Sequence, residues 1–264
     1  NLLYGGRSMG DWNAELYLKF QKERTQPAYD LAERIPLECP ARVADIGCGP
    51  GNSTRVLRER FPTAYLLGAD FSENMLQSAR ENHPGIDFVR WDAAKEEPLP
   101  GGAFDLLFSN ACLQWVPDHE RVIGRLSGML HPGGVLAVQV PVNQKEPVHQ
   151  ILAQLAASEK WKPCFSEVRT FYTLPPEGYF DLLSRHFSDF TMWEHTYCHR
   201  MPSQESILEW YRSTGLKPYL EQLDEAQKEE FEGEVLERIR EAYPVRENGE
   251  VLYRFPRFFF VAVK

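Results

Sequence analysis

Cysteine is sparse in this chain of 264 residues, and it lacks the spacing of a metal or redox site. The five cysteines are scattered and odd in number: Cys39, Cys48, Cys112, Cys164 and Cys198. No two of them form a C-x-x-C pair, which favours free thiols in a reducing compartment over a disulfide framework. His195 and His199 flank Cys198, but no second ligand pair has suitable spacing. We therefore expect a cytoplasmic protein without a bound metal.

The sequence also lacks long apolar runs and an excess of basic charge. No stretch is apolar enough over its length to cross a bilayer, and no signal-peptide pattern opens the chain, so no membrane partner is expected. Acidic residues outnumber basic ones, 38 to 29, and the net charge of −9 is not typical of a nucleic-acid-binding protein. A small anionic substrate is compatible with this balance, because a few arginines set the local charge of a pocket. We expect a monomer or a weak homodimer.

From residue 36 onwards, the chain alternates between apolar runs and helical stretches. The runs predicted to be strands are "ARVADI", "AYLLGAD", "IDFVRWD", "FDLLFSN" and "GVLAVQV". Helical patterns lie between several of them, which predicts an α/β fold with a parallel sheet covered by helices on both faces.

The second half of the chain changes character. It is mainly helical, but "FTMWEHTYCHRM" and the closing "RFFFVAVK" are typical of strands. We therefore expect one domain over 9–264 with a helical cap inserted before the last strand, while 1–8 are expected to be of vector origin. The predicted boundaries are a core of about 36–142, 187–200 and 251–264, and a cap of about 143–186 and 201–250.

The segment "VADIGCGPGNSTRVL" (43–57) predicts a glycine-rich turn between a strand and a helix. Such a turn lets the backbone approach a ligand closely. In the dinucleotide pattern G-x-G-x-x-G the third glycine comes one position later than Gly51 does here. Asp45, just before the turn, would repel a pyrophosphate but suits a cationic ligand. The pattern favours S-adenosylmethionine over a nicotinamide dinucleotide. Alternatively, Asp45 could only cap the helix that follows the turn.

Further polar residues follow the predicted strands at the sheet edge where open α/β sheets bind ligands. Asp70 is placed to accept hydrogen bonds from ribose hydroxyls, although it too could only cap a helix. Asp92 and the amide of Ala93 are candidates for contacts with an adenine. The remaining candidates on the cofactor side are Gly47, Gly49, Asn52, Met75, Asn110 and Trp115.

These motifs carry a resemblance to a known family. "DIGCGPGNST", "DFSENML", "WDAA", "NACLQWVPDH" and "LHPGGVLAVQVP" resemble the ordered motifs of class I S-adenosylmethionine-dependent methyltransferases. "DWNAELYLKFQKERTQPA", "EPVH", "MPSQESILEWYRSTGLKPYL" and "FPRFFFVA" are similar, more narrowly, to the trans-aconitate methyltransferase family. The resemblance implies a Rossmann-like sheet of order 3-2-1-4-5-7-6 with the last strand antiparallel. This chain departs from the family pattern at Gln26 and Lys217, where the corresponding stretches of the family have arginine.

The implied reaction methylates a carboxylate of trans-aconitate to a monomethyl ester and leaves S-adenosylhomocysteine. A carboxylate is already ionised at neutral pH, so we expect no catalytic base. A tricarboxylate does need cations for its non-reacting groups, and arginine suits them through its bidentate fork. The predicted substrate-binding residues are Tyr17, Arg24, His149, Tyr172 and Arg257.

Other functions stay open at this point. The same fold could methylate another small carboxylate or metabolite, such as a malonyl thioester. A nicotinamide-dependent oxidoreductase is a second alternative, and a non-catalytic S-adenosylmethionine-binding protein is a third.

Overall fold

A computed structural model describes residues 23–95, 97–166, 171–212 and 215–264. Seven strands form one sheet in the order β3-β2-β1-β4-β5-β7-β6. Their bounds are β1 Arg42–Ile46, β2 Tyr65–Asp70, β3 Asp87–Arg90, β4 Phe104–Asn110, β5 Leu130–Pro141, β6 Asp189–Met201 and β7 Val251–Val263. β7 is antiparallel to both of its neighbours, whereas the pairs from β3 to β5 are parallel. The predicted strand order and antiparallel last strand are confirmed.

Helices cover the sheet and build the cap. In the described residues they are α1 over 23–33, α2 Asn52–Arg60, α3 Glu73–Asn82, α4 His119–Gly128, α5 Pro147–Ala157, α6 Pro176–His186, α7 Gln204–Arg212, α8 Lys217–Leu220 and α9 Glu225–Ala242. Along the described chain, no helix combines the length and apolarity needed to span a membrane. Predicted residue Tyr17 and residues 1–8 lie outside the described residues.

The central strands are apolar on both faces because both faces are covered. In β1, Val43 belongs to one hydrophobic cluster, while the adjacent Ala44 belongs to the cluster on the opposite face. Leu106 and Leu107 of β4 divide in the same way. Alternating side chains of a strand point to opposite faces, so a strand buried on both sides needs a continuous apolar run.

β6 and β7 extend beyond the end of β5, and the helices of the cap pack on this extension. β5 pairs only with the second half of β7, from Arg257 to Val263, whereas β6 pairs with β7 along its whole length. The projecting half contributes Tyr253 and Phe255 to a third cluster, formed with α5, α7, α8 and α9. The helical cap is therefore attached to the sheet by a two-stranded extension.

The predicted cap boundary needs a correction at α6. Tyr179, Leu182 and Leu183 of this helix are buried in the cluster that covers the sheet, next to α4. Residues 176–186 therefore belong to the helical layer of the sheet and not to the cap. The prolines that precede α6 separate it from α5, but they give no information about the cluster in which it packs.

Candidate active site

The glycine turn after β1 adopts backbone conformations that favour glycine. Gly47, Gly49 and Gly51 have φ angles of +71°, +54° and +95°. A Cβ atom on Gly47 would lie 2.3 Å from the Cys112 side chain, whereas one on Gly49 would meet no atom within 4 Å. The turn thus packs tightly against the segment after β4 at its first glycine and faces open space at its second.

Asp45 lies behind this turn and is not on a cavity wall. Its side chain is 1% exposed, and its Oδ2 accepts hydrogen bonds from the hydroxyls of Ser53 at 2.7 Å and Thr54 at 2.6 Å. Burial raises the pKa of this carboxyl to about 6. The structure supports the helix-fixing interpretation of Asp45, because its hydrogen bonds join β1 to the first turn of α2. Its other oxygen, Oδ1, is buried without a hydrogen-bond partner among the described residues, and the expected ligand contact of Asp45 stays a prediction.

A cavity of about 300 Å³ opens beside the glycine turn. It brings together most of the predicted substrate residues and half of the predicted cofactor residues: Gly47, Gly49, Asn52, Asn110, Trp115, Arg24, His149 and Arg257. Sequence reasoning missed further lining residues, among them Gln114, Asn143, Phe171, Trp210, Tyr211 and Phe255. Most of the missed residues follow β5 or lie in the cap, far along the chain from the glycine motif.

Other predicted residues lie outside the cavity wall. Met75 is 45% exposed and Tyr172 is 42% exposed. Phe171, which precedes Tyr172, does line the cavity. Asp92 and Ala93 follow β3, where Asp92 Oδ1 accepts a hydrogen bond from the backbone amide of Ala94 at 2.9 Å. Met75, Asp92 and Ala93 lie beyond the cavity at the same sheet edge. The substrate contact of Tyr172 stays a prediction.

Asp70 connects this outer edge with the turn. Its Oδ2 accepts a hydrogen bond from the amide of Gly49 at 3.0 Å, and its Oδ1 accepts one from the amide of Ser72 at 2.9 Å. Each carboxylate oxygen has a second lone pair, so Asp70 can also accept from a ligand. Phe71, the next residue, is 69% exposed, although sequence reasoning gave it no role.

Two arginines line the side of the cavity opposite the glycine turn. Arg257 is 6% exposed, lies 4.0 Å from the ring centre of Phe255, and donates to Gln139 Oε1 at 3.4 Å. Burial lowers its pKa to about 10, which leaves it charged at neutral pH. Arg24 donates to the carbonyl oxygen of Trp210 at 2.9 Å. Within the described residues, no carboxylate forms an ion pair with Arg257, so an anionic ligand would offset the cost of burying this charge.

The two departures from the family pattern lie away from the cavity. Gln26 is exposed and donates a hydrogen bond to Asp30 Oδ1 at 2.8 Å. Lys217 is also exposed and lies 3.7 Å from Glu221. Neither residue lines the cavity, so these departures do not change its described wall.

The residues beside the turn fit a cationic nucleoside cofactor. Within the described part of the chain, Asn110 Oδ1 and Gln114 Oε1 are buried acceptors without a hydrogen-bond partner. Acceptor oxygens of this kind suit an ammonium or sulfonium group, whereas a pyrophosphate would need donors. The open side of Gly49 and the remaining lone pairs of Asp70 add room and acceptors for a ribose.

Comparisons with known proteins agree with this geometry. A family model described as a methyltransferase domain matches residues 44–138. A trans-aconitate 2-methyltransferase of Paracidovorax citrulli is 46% identical over 256 residues, which cover 96% of this chain and 98% of that protein. The protein of that name from Escherichia coli is 41% identical over 254 residues, covering 96% and 98%.

A solved structure shows that the fold is shared. Phosphoethanolamine N-methyltransferase 2 of Haemonchus contortus, in complex with S-adenosyl-L-methionine, aligns with a TM-score of 0.54 and 21% identity. The alignment covers 90% of this chain and 52% of that one. Because the two bacterial relatives match over nearly their whole length, the chain belongs to the trans-aconitate 2-methyltransferase family.

Proposed function

We propose that this chain transfers a methyl group from S-adenosylmethionine to a carboxylate of trans-aconitate, giving a monomethyl ester and S-adenosylhomocysteine. The observation that carries this proposal is Arg257, a buried arginine without a carboxylate partner among the described residues, in the cavity beside the glycine turn. The names of the bacterial relatives support the same acceptor.

The sheet edge provides the residues that would hold the cofactor. Asp70 accepts hydrogen bonds from the ribose, and the segment of Asp92 and Ala93 accommodates the adenine. Asn110 and Gln114 face the methionine part with their buried acceptor oxygens. The cofactor, when bound, supplies an electrophilic methyl group.

The arginine side of the cavity binds and orients the acid. Arg24 and Arg257 hold the non-reacting carboxylates, which leaves the third carboxylate without an arginine partner and therefore a better nucleophile. This carboxylate is ionised at neutral pH, so no residue needs to remove a proton. Alignment of the reacting atoms is the main task of the site, and positioning of this kind can supply roughly 7–11 kcal/mol.

The proposal includes a small-molecule acceptor only, with no nucleic-acid partner and no membrane. The described cysteines are all free thiols, which fits a reducing cytoplasm. The proposal also includes a monomer or a weak homodimer as the working form of the enzyme.

Turnover with methyl-labelled S-adenosylmethionine tests the proposal. Trans-aconitate should yield a base-labile labelled ester, whose position nuclear magnetic resonance then identifies. A panel with other small acids and a malonyl thioester tests the acceptor, and titration with nicotinamide cofactors tests the oxidoreductase alternative. Binding of S-adenosylhomocysteine without turnover on any acid would instead indicate a non-catalytic binding protein.

A further inference from the structure

Gln139 is the polar residue of an otherwise apolar stretch of β5, "VLAVQVP" (135–141), and its side chain is 0% exposed. A primary amide is costly to bury unless it forms hydrogen bonds, so its position in this strand needs a physical reason. The hydrogen bond to Arg257 supplies one, because Gln139 Oε1 accepts from the guanidinium at 3.4 Å. The strand register brings the two together, since Gln139 pairs with Phe259 of β7, two residues from Arg257 on the same face.

Arg257 determines how the Gln139 amide is oriented. A guanidinium can only donate hydrogen bonds, so the amide must turn its oxygen toward β7 and its nitrogen away. Within the described residues, Gln139 Nε2 and Arg257 Nε are both buried without a hydrogen-bond partner. Arg257 belongs to the described cavity wall, whereas Gln139 lies behind it. Gln139 therefore acts on the cavity through Arg257.

The charge of Arg257 is held by a neutral acceptor. No carboxylate forms an ion pair with Arg257 in the described part of the chain. Burial, with a smaller effect from the charge of Arg24, lowers the pKa of Arg257 to about 10. Burial and the charge of Arg257 lower the pKa of His199 to about 4, so this histidine is neutral at pH 7. The guanidinium thus keeps a full positive charge at the cavity wall.

Other side chains at position 139 would change this arrangement. An apolar side chain would remove the acceptor from the Arg257 guanidinium and leave its orientation unfixed. A carboxylate would accept the same hydrogen bond, but it would also pair with the positive charge and compete with an anionic ligand. Among these three kinds of side chain, the amide alone orients the guanidinium without neutralising it.

We infer that Gln139 is a positioning residue for acid binding, whose neutral amide oxygen orients the Arg257 guanidinium and leaves its charge available to a carboxylate of the acceptor. The inference rests on the proposed function for the identity of that acid. It extends the determinants of acceptor choice to a buried residue behind the cavity wall.

Gln139→Glu tests the importance of a neutral acceptor. The change is nearly isosteric, and Nε2 has no acceptor to lose among the described residues. We expect the KM for trans-aconitate to rise about hundredfold, because the new carboxylate competes for Arg257, while the affinity for S-adenosylhomocysteine stays within about twofold. Gln154→Glu makes the same change on an exposed residue of α5 and should leave both quantities unaltered. An unchanged KM in Gln139→Glu would overturn the inference.

Gln139→Met tests the orientation of the guanidinium, because methionine has a similar length but cannot accept the hydrogen bond in the same way. We expect kcat/KM for trans-aconitate to fall about tenfold through KM, with kcat at saturating acid within about threefold of wild type. In the Arg257→Met background the same substitution should cost less than twofold, since no guanidinium is left to orient. Equal losses in both backgrounds would indicate a role in packing alone and would overturn the inference.

Urea unfolding provides a readout that is independent of turnover. Without ligand, Gln139→Glu should have a higher urea midpoint than Gln154→Glu, because it gives the buried Arg257 charge a partner. Trans-aconitate should raise the midpoint of the wild type but not that of Gln139→Glu. A lower ligand-free midpoint for Gln139→Glu than for Gln154→Glu would contradict the inference. If the wild type neither binds nor methylates trans-aconitate, the proposed function fails, whereas the ligand-free midpoints still test the relation between Gln139 and Arg257.

Discussion

Asp70 at the end of β2 accepts a hydrogen bond from the backbone amide of Gly49, and thereby ties the second strand to the glycine turn of the first. The same carboxylate holds the start of α3 through the amide of Ser72. One side chain thus holds two segments together at the same sheet edge. We therefore expect the proposed cofactor side of the site to be sensitive to substitution of Asp70.

Asp70→Asn should weaken the binding of S-adenosylhomocysteine by about tenfold to hundredfold, the range for a lost charge-assisted hydrogen bond. Isothermal titration calorimetry measures this directly. Asp87→Asn is the control, because Asp87 at the start of β3 accepts a hydrogen bond from the exposed Tyr65 hydroxyl and lies away from the turn. Unchanged affinity in Asp70→Asn would show that Asp70 does not hold the ribose.

Arg257→Lys keeps the charge but loses the planar fork. We expect the KM for trans-aconitate to rise about tenfold or more, while the affinity for S-adenosylhomocysteine is unchanged. Arg254→Lys, on the same strand but exposed, should leave both quantities as they are. Steady-state kinetics with each variant give the comparison, and an unaltered KM in Arg257→Lys contradicts the role of Arg257 in acid binding.

Gly47→Ala should destabilise the fold more than Gly85→Ala does. Both glycines have positive φ angles, +71° and +88°, so alanine is strained at each. Only at Gly47 would the new Cβ lie 2.3 Å from Cys112, which adds about 1–3 kcal/mol of overpacking. Urea unfolding of the two variants measures the difference. Equal losses of stability would mean that Cys112 moves aside without cost.

The buried carboxyl of Asp45 should make stability depend on pH. Its folded pKa of about 6 exceeds the ordinary value of 3.8, so the folded state binds the proton more tightly. The resulting stabilisation is fully present below about pH 4 and is lost as the pH rises through 6. The loss in unfolding free energy amounts to about 3 kcal/mol. Asp45→Asn lacks this titration. The difference in unfolding free energy between the two proteins should therefore change between pH 4 and 7, and parallel curves would contradict the burial of the charge.

Sequence reasoning located cavity residues where a short local motif marks the end of a strand. Gly47, Gly49 and Asn110 were predicted from short motifs after apolar strands, because the carboxyl ends of parallel strands meet at one edge. The strand order came from family resemblance, since pairing between distant strands has no local signal. Arg24 and Arg257 were found only by asking which cations a tricarboxylate needs.

The remaining site could not be predicted because it depends on tertiary packing. Tyr211 and Tyr253 are ordinary apolar-patterned aromatics in a helix and a strand, and only the folded cap brings their hydroxyls to 2.6 Å. Asp45 has the same motif position whether it faces a ligand or a helix. For Tyr172, the sequence could not show which of two adjacent aromatics, Phe171 or Tyr172, faces inward.

The most direct measurement is a crystal structure of the protein with S-adenosylhomocysteine and trans-aconitate bound together. Our account predicts one carboxylate of the acid on the guanidinium of Arg257 and another facing the sulfur across the cavity. An acid bound outside the cavity, or with no carboxylate on Arg257, would contradict it.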